Sequence, residues 1–319
     1  MQIFEIIERW PKQADPLVVT IGNFDGVHIG HQGLLRAVVE TANRLGALPG
    51  AITFVPHPLK VLLENPDIKL LTTLKDRAAL IAQSGIKMLF RLKFDHSLAK
   101  TSARDFVTRI LHERLHIAAL VIGPGYTLGR DKEGNVRFLK KVGAEFAIEI
   151  LRVPPQQIDG VVVSSTKIRE CLLNGDIGLA NRLLGRPYSI TGTVTKCAGR
   201  GLGLGFPTAN IIGVEVLLPQ NGVYITQSQI GGRILNSVTN IGHHPTFFSE
   251  ATSVESHIID HRADLYGEVV KTAFLSRIRP EHRFASREEL IRQICYDIDF
   301  ARDFFRLMHK APGGVSPLP

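Results

Sequence analysis

The sequence predicts two architectures in succession: an α/β layered domain on a mostly parallel sheet, then a small antiparallel β-barrel with a C-terminal helix. Three observations predict this. Apolar strand-like runs alternate with amphipathic helix-like segments from Leu17 to about Leu184. Beyond Arg186 the alternation gives way to short β-rich runs near Ser189 to Thr195, Val223 to Gln229, Arg233 to Thr239, Ser253 to Ile259 and Val269 to Phe274. Ser286 and Glu289 then form a capping box ahead of a stripe of Leu290, Ile294, Ile298 and Ala301. The expected domains are residues 1–186 and 187–319.

In the first half, Leu17 to Ile21 has the length and β-branched content of a buried parallel strand. The run breaks at Gly22, and helical spacing resumes after Gly30 with Leu34, Val38, Ala42 and Leu45, stopped by Gly46. Strand, glycine-rich turn and helix in that order aim unpaired backbone N–H groups and the helix dipole at an anion. Gly22 and Gly26 allow close backbone approach, and Gly30 leaves room between His28 and His31, whose rings sit at the positive end of the dipole. Ala51 to Val55 reads as the next strand. It ends in Pro56-His57-Pro58, a stiff loop at the carboxyl end where α/β sheets place ligands.

A helix is predicted over Leu74 to Ser84 with Gly85 as its stop, a strand over Ile86 to Phe94, a helix opening at the cap Ser102, and a strand over Ala118 to Ile122. The loop Gly123 to Asn135 follows at the same sheet edge. Val161 to Arg169 runs from strand into a helix capped by Ser164 or Ser165, whose hydroxyls, backbone N–H groups and basic residues suit either an ordinary capped surface helix or a second phosphate clamp. A short helix over Asp176 to Leu184 ends at Gly185. The whole is Rossmann-like without a G-x-G-x-x-G fingerprint, which disfavours a dehydrogenase.

With 44% hydrophobic and 21% charged residues among 319, the chain has material for two cores. Its formal charge of +8 is dispersed among acids instead of gathered in a run, which suits anionic small molecules better than nucleic acid. No apolar run reaches membrane-spanning length and the N-terminus lacks a signal-peptide pattern, so a cytoplasmic location is expected. Cys171, Cys197 and Cys295 lie far apart without C-x-x-C spacing, which argues for free thiols. The tail from Ala311 is expected to fray.

The string G-N-F-D-G-V-H-I-G-H-Q of Gly22 to Gln32 resembles the signature of the nucleotidyltransferase superfamily, in the form found in bacterial bifunctional riboflavin kinase/FMN adenylyltransferases (FAD synthetases). T-F-V-P-H-P at Thr53 to Pro58 and V-S-S-T-K-I-R at Val163 to Arg169 match further motifs of that family. The resemblance implies that Gly22, Asn23, Phe24, His28, His31, Ser164, Ser165, Thr166 and Arg169 hold ATP phosphates, with His28, His31 and Arg169 stabilising charge during adenylyl transfer. The chain departs from G-x-[DN]-F-x-F-G at Gly125, Tyr126 and Leu128.

The second half carries Gly192 to Asn210, G-T-V-T-K-C-A-G-R-G-L-G-L-G-F-P-T-A-N, a glycine-rich segment suited to wrapping phosphates. Its ending resembles the P-T-A-N motif of riboflavin kinases. The strings from Asn240, Val254, Leu265 and Arg279 follow in the family's order. The resemblance implies ATP-phosphate contacts from Gly192, Gly199, Gly201, Gly205, Thr208 and Asn210, with Thr208 and Asn210 holding Mg²⁺ as hard oxygen ligands. It makes Glu255 the base that accepts the substrate hydroxyl's proton, and Arg279 and Phe284 flavin contacts. Cys197, Leu202 and His261 depart from the usual Gly, Arg and Phe.

A two-step flavin enzyme is therefore expected, acting on riboflavin, FMN, FAD and ATP with Mg²⁺, without nucleic acid or membrane. The alternatives are a riboflavin kinase whose adenylyltransferase is weakened or lost, favoured by Gly125 and Leu128, and a non-catalytic flavin-binding regulator. The second would require losses among His28, His31, Thr208, Asn210 and Glu255, all of which are present.

Overall fold

The computed structural model describes residues 1–5, 7, 10–11, 15–63, 68–195, 205–243, 252–261 and 265–310. It separates into two compact units, Met1–Ser165 and Thr166–Pro319. The change of sequence pattern lies later, at Arg186, because two helices that continue the first unit's pattern pack with the barrel. In the stretch Ser165–Leu173 and Ile177–Leu184, Asn181 Nδ2 donates to the Phe274 carbonyl at 2.8 Å and Asn181 Oδ1 accepts the Tyr188 N–H at 2.7 Å. The Gln220 N–H donates to the Leu172 carbonyl at 2.9 Å.

The first unit is a six-stranded parallel sheet of β1 (Gln2–Phe4), β2 (Leu17–Ile21), β3 (Leu48–Val55), β4 (Met88–Lys93), β5 (Ile117–Ile122) and β6 (Glu149–Arg152) in the order β1-β4-β3-β2-β5-β6. All five residues of β2 are buried. Alternate positions face opposite layers, as a pleated strand requires. Leu17, Val19 and Ile21 join Phe106, Val107, Leu111 and Leu139, whereas Val18 joins Leu35, Val38 and Ala42 of the helix Ile29–Leu45 together with Ala78 and Ile81 of the helix Leu74–Gln83. Strand order reverses beside β2, with β3 and β4 on one side and β5 and β6 on the other. Its carboxyl end therefore opens at a topological switch point.

Local chemistry sets the boundaries. Gly46, at φ 61°, ends the helix Ile29–Leu45 in the left-handed conformation. Thr73 and Ser102 cap their helices through Asp76 N–H and Asp105 N–H. The segment opened by Ser102 continues as a π-helix, Phe106–His112. The helix Val136–Glu145, capped by Asn135, and strand β6 were not anticipated from sequence. A hairpin of β7 (Gln157–Ile158) and β8 (Val161–Val162) turns over Asp159 and Gly160, both at positive φ.

In the second unit β9 (Tyr188–Thr195), β10 (Ala209–Ile212), β11 (Gly222–Ile230), β12 (Arg233–His243), β13 (Thr252–Ile258) and β14 (Val269–Arg279) close a barrel in the order β10-β13-β12-β11-β14-β9. The helix Arg287–Lys310 packs Ile298, Ala301 and Phe305 against Val223, Ile225 and Val238. Ser286 and Glu289 form the expected capping box, with Glu289 N–H donating to Ser286 Oγ and the Glu289 carboxylate reaching back to Ala285 N–H. The thiols of Cys171 and Cys295 are free, and Cys197 lies outside the described residues.

The barrel interior contains a polar cluster among its apolar side chains. Five buried hydroxyls form a closed ring: Thr226 to Ser237 at 2.8 Å, Ser237 to Ser228 at 2.9 Å, Ser228 to Ser256 at 3.4 Å, Ser256 to Thr239 at 3.0 Å and Thr239 back to Thr226 at 2.7 Å. Each hydroxyl can donate once and accept once, so the ring satisfies itself. Ser237→Ala opens it and strands two neighbours, which should cost about 1–3 kcal/mol. Urea unfolding of the parent and variant measures the difference.

Candidate active sites

The first site lies on the turn leaving β2. Phe24 (φ 50°), Gly26 (φ 82°) and Val27 (φ 39°) hold positive φ within four residues, a backbone course that non-glycine residues follow only at a cost. The turn ends on His28, the N-cap of the helix Ile29–Leu45, whose Nδ1 accepts the His31 N–H at 3.2 Å. An accepting Nδ1 leaves the ring proton on Nε2. The His31 ring stacks on His28 at a 3.6 Å centroid separation and meets the edge of Phe24 at 5.3 Å. His31 Nδ1 is buried without a hydrogen-bond partner among the described residues. Burial, with lesser contributions from His28 and Arg77, holds the His31 imidazole well below its ordinary pKa of 6.5, so it is neutral at pH 7.

The glycines have distinct work here. A Cβ on Gly30 would meet the His28 ring at 3.2 Å and one on Gly22 the Phe24 ring at 3.2 Å. Phe24 itself is fully buried in the core beneath the helix, so its side chain supports His31 and is not available to a nucleotide. The Asn23 carbonyl accepts the Thr53 hydroxyl at 3.4 Å. His57 is buried and its Nδ1 accepts Leu59 N–H at 3.3 Å.

Ser165 Oγ donates to the Asp25 carbonyl at 2.8 Å. Its proton is thus used in tying the second phosphate segment to the first, in place of the direct phosphate contact expected from sequence. Ser164 precedes it, and Thr166 and Arg169 follow it on the helix Ser165–Leu173. Asp25, Thr72 and Arg77 were missed by sequence reasoning. Asp25 accepts the N–H groups of Leu71 and Thr72 and lies 3.5 Å from Arg77. Gly125 stands at φ 64° with open space around it, whereas Leu128 is packed in the core and bridges to Gly134.

The second site is a cavity of about 400 Å³ on the outer face of the barrel under the C-terminal helix. Thr208, Asn240, Glu255, Arg279 and Phe284 line it, together with apolar Phe206, Val238, Leu290 and Ile294. Barrel register explains the convergence. Glu255 on β13 pairs with Asn210 on β10 and with Asn240 on β12, which sets three polar side chains in one row across adjacent strands. Strand β10, which carries Asn210, was not recognised from sequence.

Two expected contacts are revised. The Arg279 guanidinium is taken up by the buried carboxylate of Asp297, with Nη2 to Oδ2 at 2.8 Å and Nε to both oxygens, and it lies 5.6 Å from the Phe284 ring. It lines the cavity and joins β14 to the helix, with its Nε and Nη2 donors taken up by Asp297. Gly192 lies inside β9, where a Cβ would meet the Ile212 carbonyl at 2.5 Å, so strand packing and not phosphate binding requires the glycine. Gly205, at φ 89°, opens the segment leading to Thr208. Gly199, Gly201 and Leu202 lie outside the described residues.

Thr208 and Asn210 offer a hydroxyl and an amide oxygen beside the Glu255 carboxylate, a sparse hard-oxygen set that fits Mg²⁺ shared with a nucleotide. Among the described residues no helix is long and apolar enough to cross a membrane.

The FAD synthetase family model matches residues 10–167 and the riboflavin kinase family model residues 184–305. A bifunctional riboflavin kinase/FMN adenylyltransferase of Escherichia coli strain K12 is 34% identical over 92% of this chain and 94% of its own. The enzyme of the same name from Listeria monocytogenes is 35% identical over 90% and 92%. A solved structure from Streptococcus pneumoniae, described as a macrolide-efflux protein, superposes with a TM-score of 0.87 at 29% identity, covering 94% of this chain and 99% of that one. With both models matched in order and relatives similar from end to end, the chain belongs to the bifunctional riboflavin kinase/FMN adenylyltransferase family.

Proposed function

We propose that the chain makes FAD from riboflavin in two ATP-dependent steps, the barrel unit forming FMN and the parallel-sheet unit adenylylating it. The observation that carries this reading is that Glu255 stands in register with Asn210 and Asn240 at the mouth of the barrel's cavity. The nucleotidyltransferase signature belongs to the other unit, at the switch point of its sheet. The cytoplasm is the compartment this reading requires.

In the kinase step Glu255 accepts the proton of the riboflavin primary hydroxyl as its oxygen attacks the γ-phosphorus of ATP and ADP leaves. Thr208 and Asn210 would hold Mg²⁺, which would neutralise phosphate charge when bound. The apolar wall of Phe206, Val238, Leu290 and Ile294 takes the flavin ring, with Phe284 beside it.

In the adenylyl step an FMN phosphate oxygen attacks the α-phosphorus of ATP and pyrophosphate leaves, so no protein nucleophile is needed. His28 donates from Nε2, and His31, neutral and stacked upon it, adds a second ring donor as charge develops. Backbone N–H groups at the start of the helix Ile29–Leu45 add the dipole's field. Roles at Asn23, Ser164, Thr166 and Arg169 rest on the family motif.

The steps should separate by mutation. Glu255→Gln should lower riboflavin phosphorylation by about 10²-fold or more while FAD formation from supplied FMN persists. His28→Ala or His31→Ala should do the reverse by about 10²-fold. Assays of each step on each variant decide, and equal loss of both activities contradicts the assignment.

Acid should act through His31. Its pKa is depressed in the folded chain, so on acidification through 6.5 the unfolded chain binds the proton first and the folded state loses stability. His31→Asn should therefore lose less stability between pH 7 and pH 5 than the parent, as read by denaturant melts at both values.

Gly125 favours a second reading in which the adenylyl step is the slower. Its position at φ 64° in open space is left-handed, a conformation that Asn adopts at less cost than other side chains, and Asn would restore a side-chain oxygen at the sheet's ligand edge. FMN should accumulate ahead of FAD in a riboflavin time course, and Gly125→Asn should raise FAD output.

A further inference from the structure

The turn from Gly22 to His28 is backed by groups that the chemistry of adenylyl transfer does not use. Asp25 is 1% exposed and Arg77 2% exposed. The Asp25 carboxylate accepts Leu71 N–H at 2.9 and 3.1 Å, Thr72 N–H at 3.2 Å and the Thr72 hydroxyl at 3.3 Å, with Arg77 Nη2 at 3.5 Å. Gly26 N–H donates to Thr72 Oγ1 at 3.1 Å, and Ser165 Oγ closes on the Asp25 carbonyl. One residue thereby joins the strained turn, the entry to the helix Leu74–Gln83 and the Ser164-Ser165 segment. A buried carboxylate and guanidinium are costly to desolvate, and replacing such a pair by apolar groups is often no loss to stability. Fixing a geometry is what the pair does supply here.

We propose that Asp25 and Arg77 are positioning residues for adenylyl transfer: their buried pair locks the turn at positive φ and, through it, the stacked His28 and His31 rings at the helix start. This rests on the nucleotidyltransferase reading of the site. Phe24 and Val27 can hold φ of 50° and 39° only if the residues between them are over-determined, and Asp25 is that residue. The Phe24 ring in turn supports His31. Arg77 has a second effect, since its charge helps to keep His31 neutral. Among the described residues the titratable and charged groups acting on His31 are His28, at the head of its own helix, and Arg77, from the helix Leu74–Gln83. Phe24, from the turn, carries no charge.

The test uses the full chain with Arg77→Met, which removes charge and donors at similar length, and Arg77→Lys, which keeps the charge. FAD formation from FMN and Mg-ATP should fall in kcat by about 10-fold or more in the Met variant, with the ATP KM within about threefold of the parent. Riboflavin phosphorylation by the same preparations should not change. The acid limb of the kcat profile for FAD formation should move to higher pH in the Met variant and stay in place in the Lys variant. A parental kcat, an unmoved acid limb in the Met variant, or parallel loss of both activities would overturn the proposal. If the Met variant fails to fold, the Lys variant decides: a several-fold fall in kcat at unchanged KM supports the proposal and a parental kcat overturns it. If His31→Ala leaves FAD formation intact, the nucleotidyltransferase reading itself fails. If it abolishes FAD formation and the Arg77 variants keep the parental kcat, only the positioning role fails.

Discussion

A strand that ends where its sheet reverses order has neighbours leading away from it on either side, and the chain leaving it must turn within the gap. In this protein β2 ends there, and the turn must deliver His28 as an N-cap with its ring against His31. Those demands force Phe24 and Val27 to positive φ. The cost is met by placing Phe24 in the core, Asp25 in a cage of N–H and hydroxyl donors, and Gln32 Nε2 on the Val27 carbonyl at 2.9 Å. Most side chains of the turn, His28 among them, are buried, and Asn23 is half-buried.

This explains which parts of the first site could be read in the sequence. Gly30, His28 and His31 act within one helical turn, and Gly46 ends the same helix, so local spacing exposes them. Asp25 meets its partners at Leu71, Thr72 and Arg77, across a span that no local pattern encodes. Ser165 looked like a phosphate ligand because a hydroxyl at a helix start is one kind of anion donor. Its actual partner is a carbonyl far back in the chain. The division between units was displaced for a similar reason: the helix Ile177–Leu184 has ordinary α/β spacing, and only Asn181, bonded to Phe274 and Tyr188, shows which core it serves.

The barrel was legible in kind and not in detail. Turn residues between short runs gave its class, but β10 is four residues long and follows a proline-threonine pair, too short to stand out from a loop. Missing that strand hid the reason why Asn210 and Glu255 belong together. The ion pair of Arg279 was hidden because Asp297, its partner, sits on the helix Arg287–Lys310, where the pattern marks Ile294, Ile298 and Ala301 as the buried face and gives no sign that a carboxylate shares it.

The polar ring inside the barrel bears on the proposed kinase site outside it. Strand side chains alternate, so a slip of one residue would turn Glu255 inward and bring Ser256 to the cavity. An apolar interior would resist that slip only through the cost of burying a charge, since Val, Ile and Leu pack against one another in many registers. Hydroxyls are more exacting, because they must meet at hydrogen-bond distance. Thr226, Ser228, Ser237, Thr239 and Ser256 close their ring only when β11, β12 and β13 are in their observed pairing. Ser256, next to Glu255 in the chain, therefore fixes it on the outer face between Asn210 and Asn240. A core that forgoes apolar burial at these positions holds Glu255, the proposed base, in register with Asn210 and Asn240.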